Sequence, residues 1–430
     1  MEEFANKTTF RNYIVFWIGQ LFSLLGSMVV FFVITFWIAL VYDSEIISSF
    51  TVFLSVLMMT ICMPVGGVLA DRMSRKRLII IADSLQALST FFLIMFFQFG
   101  LANILIVYVF VSLRSAFQAF HVPTVNSIIP TMVPKEKLTR INGINFLFTG
   151  VVQLLSPFVG ALLLVFFIKS IFLIFWADII TFFIALVPLL LIKIPSVKEV
   201  NHTEEKGKRS SFLKEFRLGL KTIKFIPGLI IMIILSMLLN FLVQPVNSLM
   251  ALFIINVHGG GAPQLALIEM ILTGGMIVGA LFTSIKKNWN NKIRVIFISI
   301  AIALIGYMIF ALAPSGSYLV LGIGGAILGF NLPIINSLYQ TFLQTTTPAD
   351  KLGRVTSIDS TLSSAMSPAG SLLSGPIALM IGIPLLFFYC GLLGVLVTIG
   401  IWVLTGIRKV DIDSTSALEE INGKIESIAI

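Results

Sequence analysis

Charged residues are scarce in this chain of 430 amino acids. Asp, Glu, Lys and Arg together make up 11% of the sequence, whereas 57% of the residues are hydrophobic. A typical soluble domain carries about 25% charged residues. A chain of this size with so little charge cannot hide its apolar surface from water, so a soluble globular protein is excluded. The composition predicts an all-α polytopic membrane protein.

Cysteine, histidine and the motifs of several enzyme classes are also rare or missing. Cys62 and Cys390 lie in separate apolar runs, so they form neither a CxxC pair nor a disulfide framework. His121, His202 and His258 lie on separate segments, which argues against a metal site. The sequence has no GxxxxGK[ST], GxSxG or HExxH motif and no filter-like repeat. An ATP-driven pump is therefore excluded on this chain, a membrane enzyme or channel is disfavoured, and no cofactor is expected.

Twelve apolar runs are long enough to cross a bilayer, which takes about 20 residues in a helix. They lie at 12–42, 46–70, 77–98, 103–124, 138–168, 170–193, 225–256, 264–285, 293–313, 317–342, 354–381 and 384–407. The polar, acidic start MEEFANKTTFRN has no features of a cleavable signal peptide. We therefore expect the first span to direct the chain to the membrane.

Basic residues are distributed very unevenly between the predicted loops. If the N-terminus is cytoplasmic, 27 of the 29 Lys and Arg residues lie on the cytoplasmic side, Lys169 lies outside and Arg114 lies within a span. The positive-inside rule then predicts that both termini are cytoplasmic. The same distribution explains the net charge of +9 by topology and contact with anionic lipid. A nucleic-acid partner is not expected.

The two halves of the sequence repeat. HVPTVNSII at the end of span 4 matches NLPIINSLY in span 10, PKEKLTRINGIN opening span 5 matches PADKLGRVTSID opening span 11, and SPFVGALL is echoed by SPAGSLLSG. Three matches in the same order indicate two six-helix halves with a transport site between them. We expect an N-terminal half at 1–193, a cytoplasmic linker at 194–224, a C-terminal half at 225–409 and a cytoplasmic tail at 410–430.

The linker contains an amphipathic pattern. Phe212, Phe216, Leu220 and Ile223 recur at helical spacing within a basic stretch. This pattern predicts a helix that lies on the membrane surface.

The stretch GGVLADRMSRKR at 66–77 resembles the signature loop of the major facilitator superfamily, which has a glycine, an Asp-Arg pair and then a basic cluster. The resemblance implies the twelve-helix fold of that superfamily and a conformational lock on the cytoplasmic side. Gly67 is expected to let helices approach closely. Asp71 is expected to pair with a nearby arginine and to lie near the positive N-terminus of span 11. The alternative is that the basic residues serve topology alone. The matching positions are Gly67, Asp71, Arg72, Arg75, Lys76 and Arg77.

A narrower resemblance covers nearly the whole chain. The stretches LRSAFQAFHVPTVNSIIPTMVPKEKLTR, QPVNSLMALF and EMILTGGMIVGALF are similar to bacterial macrolide efflux proteins. This resemblance implies proton-driven export of small amphipathic drugs, most of all macrolide-type antibiotics, by a monomer in the plasma membrane of a bacterium. Export of a siderophore or lipid, or import, are the alternatives, because the physics of the sequence does not fix the direction.

A positive charge interrupts span 4. Arg114 lies about 16 Å from the outer end at 1.5 Å per residue, close to the midplane. Gln118 and His121 follow on the same helix face, which is typical of a helix that lines a cavity. An arginine at this depth costs a few kcal/mol, so we expect it to tune proton binding by an acid, foremost Asp178. The alternative is structural, with Arg114 bonded to backbone carbonyls.

Two acids are predicted to lie deep in the spans. Asp178 in FWADIITFF and Glu269 in LALIEMILTGG are the candidates for carrying the coupling proton. Glu269 is alternatively an interfacial residue in contact with outer water. Asp83 lies closer to the cytoplasmic edge and is predicted to be a structural partner of the loop between spans 2 and 3.

Polar residues at helical spacing also mark spans 7 and 10. With nearby aromatic side chains they suit a bulky amphipathic ligand, although they are equally consistent with hydrogen bonds between helices. Small-residue patterns at Gly275–Gly279 and Gly325–Gly329 favour close helix packing. The polar candidates are Asn240, Gln244, Asn247, Asn336 and Gln340, with Gln344 continuing the second set.

Overall fold

The computed structural model describes residues 7–192, 194, 220–286 and 289–409, and all its elements are helical. The first half of the chain forms α1 Lys7–Tyr42, α2 Glu45–Arg72, α3 Arg75–Gln98, α4 Ile104–Met132, α5 Lys135–Phe167 and α6 Phe172–Leu191. The second half forms α7 Leu229–Leu252, α8 Ala262–Ile285, α9 Lys292–Ala311, α10 Tyr318–Thr346, α11 Ala349–Ser364, α12 Ser367–Ile381 and α13 Ile383–Leu404.

The predicted all-α membrane architecture is confirmed. Twelve segments within the described residues are long and apolar enough to cross a membrane, one for each predicted span. Large apolar side chains such as Leu105, Phe166 and Leu404 are exposed along these helices. A soluble protein does not leave such long apolar faces in water, so they are the surfaces that face lipid.

Two compact units divide the described residues. One lies within Met1–Lys206 and Gly260–Met270, and the other within Gly207–Gly259 and Ile271–Ile430. The start of α8 thus groups with the first unit, which a simple division into six and six spans does not anticipate. The linker helix predicted at Phe212–Ile223 lies mostly outside the described residues. The part that the structure describes begins at residue 220, and residues 220–225 are helical.

In the first unit, α1 packs against α5 and α6, while α4 packs against α2 and α3. Its core includes Tyr13, Phe16, Ile79, Met132 and Leu189, all almost fully buried. Asn103 accepts a hydrogen bond from the Ile106 amide at 3.0 Å and so caps the start of α4. This packing brings the inward faces of α1, α3, α4 and α6 together.

In the second unit, aromatic rings and glycines determine the packing. The rings of Phe253, Phe310 and Phe387 contact one another at centroid distances of 5.0 to 6.5 Å. Helices α8 and α10 touch through their backbones, because a Cβ on Gly279 would lie 2.0 Å from the carbonyl oxygen of Phe330. The expectation that the glycine patterns serve helix packing agrees with these contacts.

The eleventh span is broken rather than continuous. The sequence predicts one run at 354–381, but α11 ends at Ser364 and α12 begins at Ser367. Pro368 has no amide hydrogen, so it cannot bond to the carbonyl of Ser364 four residues earlier. The helix therefore stops at the residue that loses its hydrogen-bond partner.

Candidate functional site

A buried ion pair joins α4 to α6 inside the first unit. Arg114 Nη1 lies 2.5 Å from Asp178 Oδ2, and the two residues are only 8% and 3% exposed. The sequence predicts these two residues as partners, and the structure brings them into direct contact. The arginine at the middle of span 4 is therefore neutralised by an acid from span 6.

Two hydroxyl groups complete the surroundings of the Asp178 carboxylate. Ser27 on α1 donates to Oδ1 at 2.8 Å, and Thr90 on α3 donates to Oδ2 at 2.6 Å. Arg114 also contacts the Thr90 hydroxyl. Asp178 therefore receives donors from three other helices, as a buried charge requires. The arrangement depends on the relative positions of α1, α3, α4 and α6.

A second buried pair lies next to the first. His121 Nδ1 on α4 is 2.5 Å from Asp83 Oδ1 on α3, and Asp83 is buried. The expectation that Asp83 serves the loop between spans 2 and 3 is therefore wrong. At 1.5 Å per residue Asp83 lies about 12 Å inside α3, too deep to reach that loop.

The two pairs border one cavity, which polar side chains also line. Gln86 Nε2 donates to the hydroxyl of Ser27 at 2.6 Å, and that hydroxyl binds Asp178. The i, i+4, i+7 spacing predicted for α4 places Gln118 and His121 on this cavity. The cavity is lined by Ser23, Leu24, Ser27, Asp83, Gln86, Ala87, Gln118, His121, Asp178 and Phe182.

The sequence predicts the α4 and α6 residues of this cluster but not those of α1 and α3. Asp83, Gln86 and Thr90 share one face of α3 at spacings of three and four residues. That polar stripe is the signal that could have shown that Asp83 points inward. Ser27 gives no such signal, because a single serine in a span commonly bonds to its own helix.

The polar candidates of the second unit fall into two groups. Gln244 is buried and accepts a hydrogen bond from Ser371 on α12 at 3.2 Å. Asn240 donates to the backbone carbonyl of Ser363 at 3.1 Å. These two residues therefore make the bonds between helices that the sequence left open as an alternative. Asn247, whose amide lies 3.5 Å from Gln244, is exposed.

Asn336 and Gln340 on α10 differ from that group. Both are exposed, and within the described part of the chain neither makes a hydrogen bond. Glu269 on α8 is half-buried and likewise has no partner among the described residues. The structure does not bring Glu269 together with Arg114 or Asp178 in one hydrogen-bonded cluster.

The basic cluster after α2 has a structural contact that the signature-loop resemblance did not imply. Lys76 Nζ donates to the carbonyl oxygens of Leu190 and Ile192, both at 2.7 Å. A lysine at this position caps the C-terminal end of α6 and complements its dipole. Arg75 also has a partner, and Arg77 is exposed.

The expected role of Gly67 in close packing is wrong in this structure. Among the described residues, a Cβ on Gly67 would meet nothing within 4 Å, whereas one on Gly66 would lie 2.8 Å from the Ala119 carbonyl oxygen. Successive helix residues point about 100° apart, so only Gly66 faces α4. The side chains of Asp71 and Arg72 lie outside the described set, so the lock stays a prediction.

These features define a membrane transporter fold: twelve spans in two compact units, with buried ion pairs and a polar cavity inside one of them. The model of the Major Facilitator Superfamily matches residues 16–371. The chain belongs to that superfamily, as its signature-loop resemblance indicated.

Macrolide efflux proteins of two bacteria are similar in sequence to most of the chain. The chain is 26% identical to macrolide efflux protein A of Streptococcus pyogenes over 412 residues, which are 96% of this chain and 100% of the relative. It is also 26% identical to macrolide efflux protein A of Enterococcus faecalis, over 71% of this chain and 93% of the relative. The expected similarity to macrolide efflux proteins is thereby confirmed.

Solved transporter structures share the fold at low sequence identity. The nucleoside transporter NupG matches with a TM-score of 0.67 and 15% identity, covering 93% of this chain and 100% of that one. A bacterial homologue of the iron transporter ferroportin, in its inward-facing state, matches with a TM-score of 0.67 and 15% identity, covering 90% and 98%. Such distant likeness establishes the fold alone.

Proposed function

We propose that this protein exports small amphipathic drugs, foremost macrolide-type antibiotics, in exchange for protons. It acts as a monomer in the plasma membrane of a bacterium, with both termini in the cytoplasm. Family membership and the relatives named as macrolide efflux proteins support the choice of substrate. The buried Arg114–Asp178 pair is the observation that supports a role for protons.

The chemistry of that pair suits a switch driven by protons. The attraction between Arg114 and Asp178 joins α4 to α6, and Ser27 and Thr90 add bonds from α1 and α3. A proton that binds to the carboxylate removes its negative charge and frees the arginine. Helices that were held together by the pair can then move, which couples proton binding to a change of conformation.

Substrate contacts are proposed at two places, one in each unit. In the first unit, Gln118 and His121 line the cavity beside the ion pairs. In the second unit, Asn336 and Gln340 present amide groups that make no hydrogen bond within the described residues. Amides of this kind bind the hydroxyl and carbonyl groups of a macrolide, while neighbouring apolar residues contact its ring.

The proton gradient supplies enough free energy for such transport. One proton moving through about 150 mV releases about 3.5 kcal/mol. That is enough to sustain roughly a 300-fold gradient of a neutral drug. One proton per drug molecule is therefore enough to drive export against such a gradient.

The test combines cells with purified protein. A pump-deficient bacterium that expresses the chain should tolerate more erythromycin than the same strain with an empty vector. Liposomes containing the protein should accumulate erythromycin when a pH gradient is imposed, and should lose it when a protonophore collapses the gradient. Accumulation that survives the protonophore contradicts proton coupling. Unchanged tolerance of every macrolide, with raised tolerance of another amphipath, contradicts the proposed substrate.

A further inference from the structure

A buried acid in the second unit has no role in the transport cycle proposed above. Asp359 lies on α11 and is 4% exposed. Counted from Ala349, it lies about 15 Å into the helix at 1.5 Å per residue. Ionisable groups at such positions in membrane helices are rare, and they mark functional sites by default.

The immediate partners of Asp359 are polar but uncharged. Tyr339 on α10 donates its hydroxyl to Asp359 Oδ1. The hydroxyl of Ser363, one turn further along α11, lies 3.5 Å from the same oxygen. Both contacts involve Oδ1, and within the described part of the chain Oδ2 makes no hydrogen bond.

Within the described residues, no positive charge pairs with Asp359. Among the residues that the structure describes, the ion pairs are Arg114–Asp178 and Asp83–His121, both in the first unit. Helix α7, which packs against α11, carries no ionisable residue, and α12 carries none either. Among the side chains that the structure describes, the remaining ionisable groups of the adjoining helices are Tyr318 at the opposite end of α10, and Lys351 and Arg354 on α11 itself, eight and five residues before Asp359.

Comparison with Asp178 favours a protonated Asp359. The positive charge of Arg114 balances the Asp178 carboxylate and offsets the cost of burying it. A buried carboxylate that lacks such a partner is costly, and it becomes neutral by taking up a proton. The free Oδ2 of Asp359 is the atom that would carry it.

The sequence repeat provides an internal comparison. PKEKLTRINGIN aligns with PADKLGRVTSID, which places Asn145 at the position of Asp359. Asn145 Oδ1 accepts a hydrogen bond from Trp17 Nε1 at 2.7 Å. In each half an oxygen at this position accepts a bond from an aromatic residue, but only the second half has an acid. A neutral amide is thus compatible with the helix at this position.

We propose that Asp359 is a proton-binding site of the second unit, and that it gives up its proton to water during transport. In that step the O–H bond of the carboxyl group breaks and leaves a carboxylate on Asp359. The proton site itself does not depend on the identity of the substrate. Its coupling to transport rests on the proposed function.

Infrared spectroscopy of the purified full-length protein tests the site without any transport. At neutral pH, Asp359→Asn should remove the C=O band of a protonated carboxyl group. The double variant Arg114→Gln with Asp178→Asn should leave the Asp359 band in place, and Glu269→Gln identifies any separate band that comes from Glu269. If the same band persists in Asp359→Asn, the proposal is overturned. Should Asp359→Asn fail to fold, Tyr339→Phe removes the hydroxyl donor instead and must shift the band; an unshifted band also overturns it.

Liposomes that contain a pH-sensitive dye test the coupling. The unaltered protein should move protons when erythromycin is added, and Asp359→Asn should move fewer protons for each erythromycin molecule. Equal proton movement by the two proteins would overturn the coupling of Asp359 to transport. If even the unaltered protein moves no protons with erythromycin, the proposed function fails. A carboxyl band that still depends on Asp359 would in that case support the proton site on its own.

Discussion

Arg114 and Asp178 form a charged contact of 2.5 Å between α4 and α6, in a part of the first unit that is almost completely buried. The pair accounts for an arginine in the middle of a membrane span, because its charge is balanced by an acid at the same depth. Removing one member leaves an uncompensated buried charge, which costs about 3–5 kcal/mol of stability.

The first prediction separates stability from coupling at this pair. Arg114→Gln should lower the free energy of unfolding by about 3–5 kcal/mol and abolish active efflux. The double variant Arg114→Gln with Asp178→Asn should regain most of the stability, because no charge is left unpaired, yet it should not concentrate erythromycin. Arg114→Lys keeps the charge but loses the planar fork, so partial efflux is expected. Thermal unfolding in detergent and liposome uptake measure the two properties. Active efflux by the neutral pair would show that its role is structural.

The spans were predictable from sequence because a bilayer sets a strict length for an apolar helix. The partnership of Arg114 with Asp178 was also predictable, since few buried acids are available to a buried cation. The sequence does not predict the position of Asp83, because α3 begins at Arg75, before the apolar run at 77–98, and because the direction of the side chain depends on how α3 packs. Asp359 did not stand out because it lies only five residues from the predicted start of span 11, whereas α11 begins earlier, at Ala349.

Close contacts were the least predictable feature. The sequence has Gly66 and Gly67 side by side, and the family resemblance favoured Gly67, but only Gly66 approaches another helix backbone. The rotation of α2 about its axis decides between them, and an apolar helix that faces lipid on one side and protein on the other gives little indication of that rotation.

The second prediction concerns the pair formed by Asp83 and His121. Asp83→Ala and His121→Ala should each destabilise the protein, and the double variant should cost less than the sum of the two. We expect a coupling free energy of about 0.5–3 kcal/mol from this double-mutant cycle, measured by thermal unfolding.

Gln118 supplies the matched control for that cycle. It lines the same cavity, and within the described residues it makes no hydrogen bond. Gln118→Ala should therefore leave the unfolding temperature unchanged while altering the relative tolerance of different macrolides. Strictly additive losses in the Asp83–His121 cycle would argue against an energetically important pair.

The third prediction addresses the contact between α8 and α10. Gly279→Ala should destabilise the protein by about 1–3 kcal/mol, because the added methyl group overlaps the Phe330 carbonyl oxygen and forces the helices apart. Gly274→Ala, on the same helix, is the control, since a Cβ there meets no atom of the described residues within 4 Å. Gly274→Ala should be neutral or slightly stabilising, because alanine is the better helix former. Equal unfolding temperatures for the two variants would contradict the close contact.

The fourth prediction is the topology, which rests on the 27 basic residues assigned to the cytoplasmic side. The native thiols, half-buried Cys62 and buried Cys390, are first replaced in a Cys62→Ser, Cys390→Ala background. In that background Leu101→Cys, at a position 60% exposed between α3 and α4, should react with an impermeant thiol reagent added to intact cells. Asn290→Cys, at an exposed position between α8 and α9, should react only after the membrane is opened.

Efflux activity of each variant shows that the labelled protein is folded. The opposite labelling pattern in active variants would place both termini outside, and would require an explanation of the charge distribution other than the positive-inside rule.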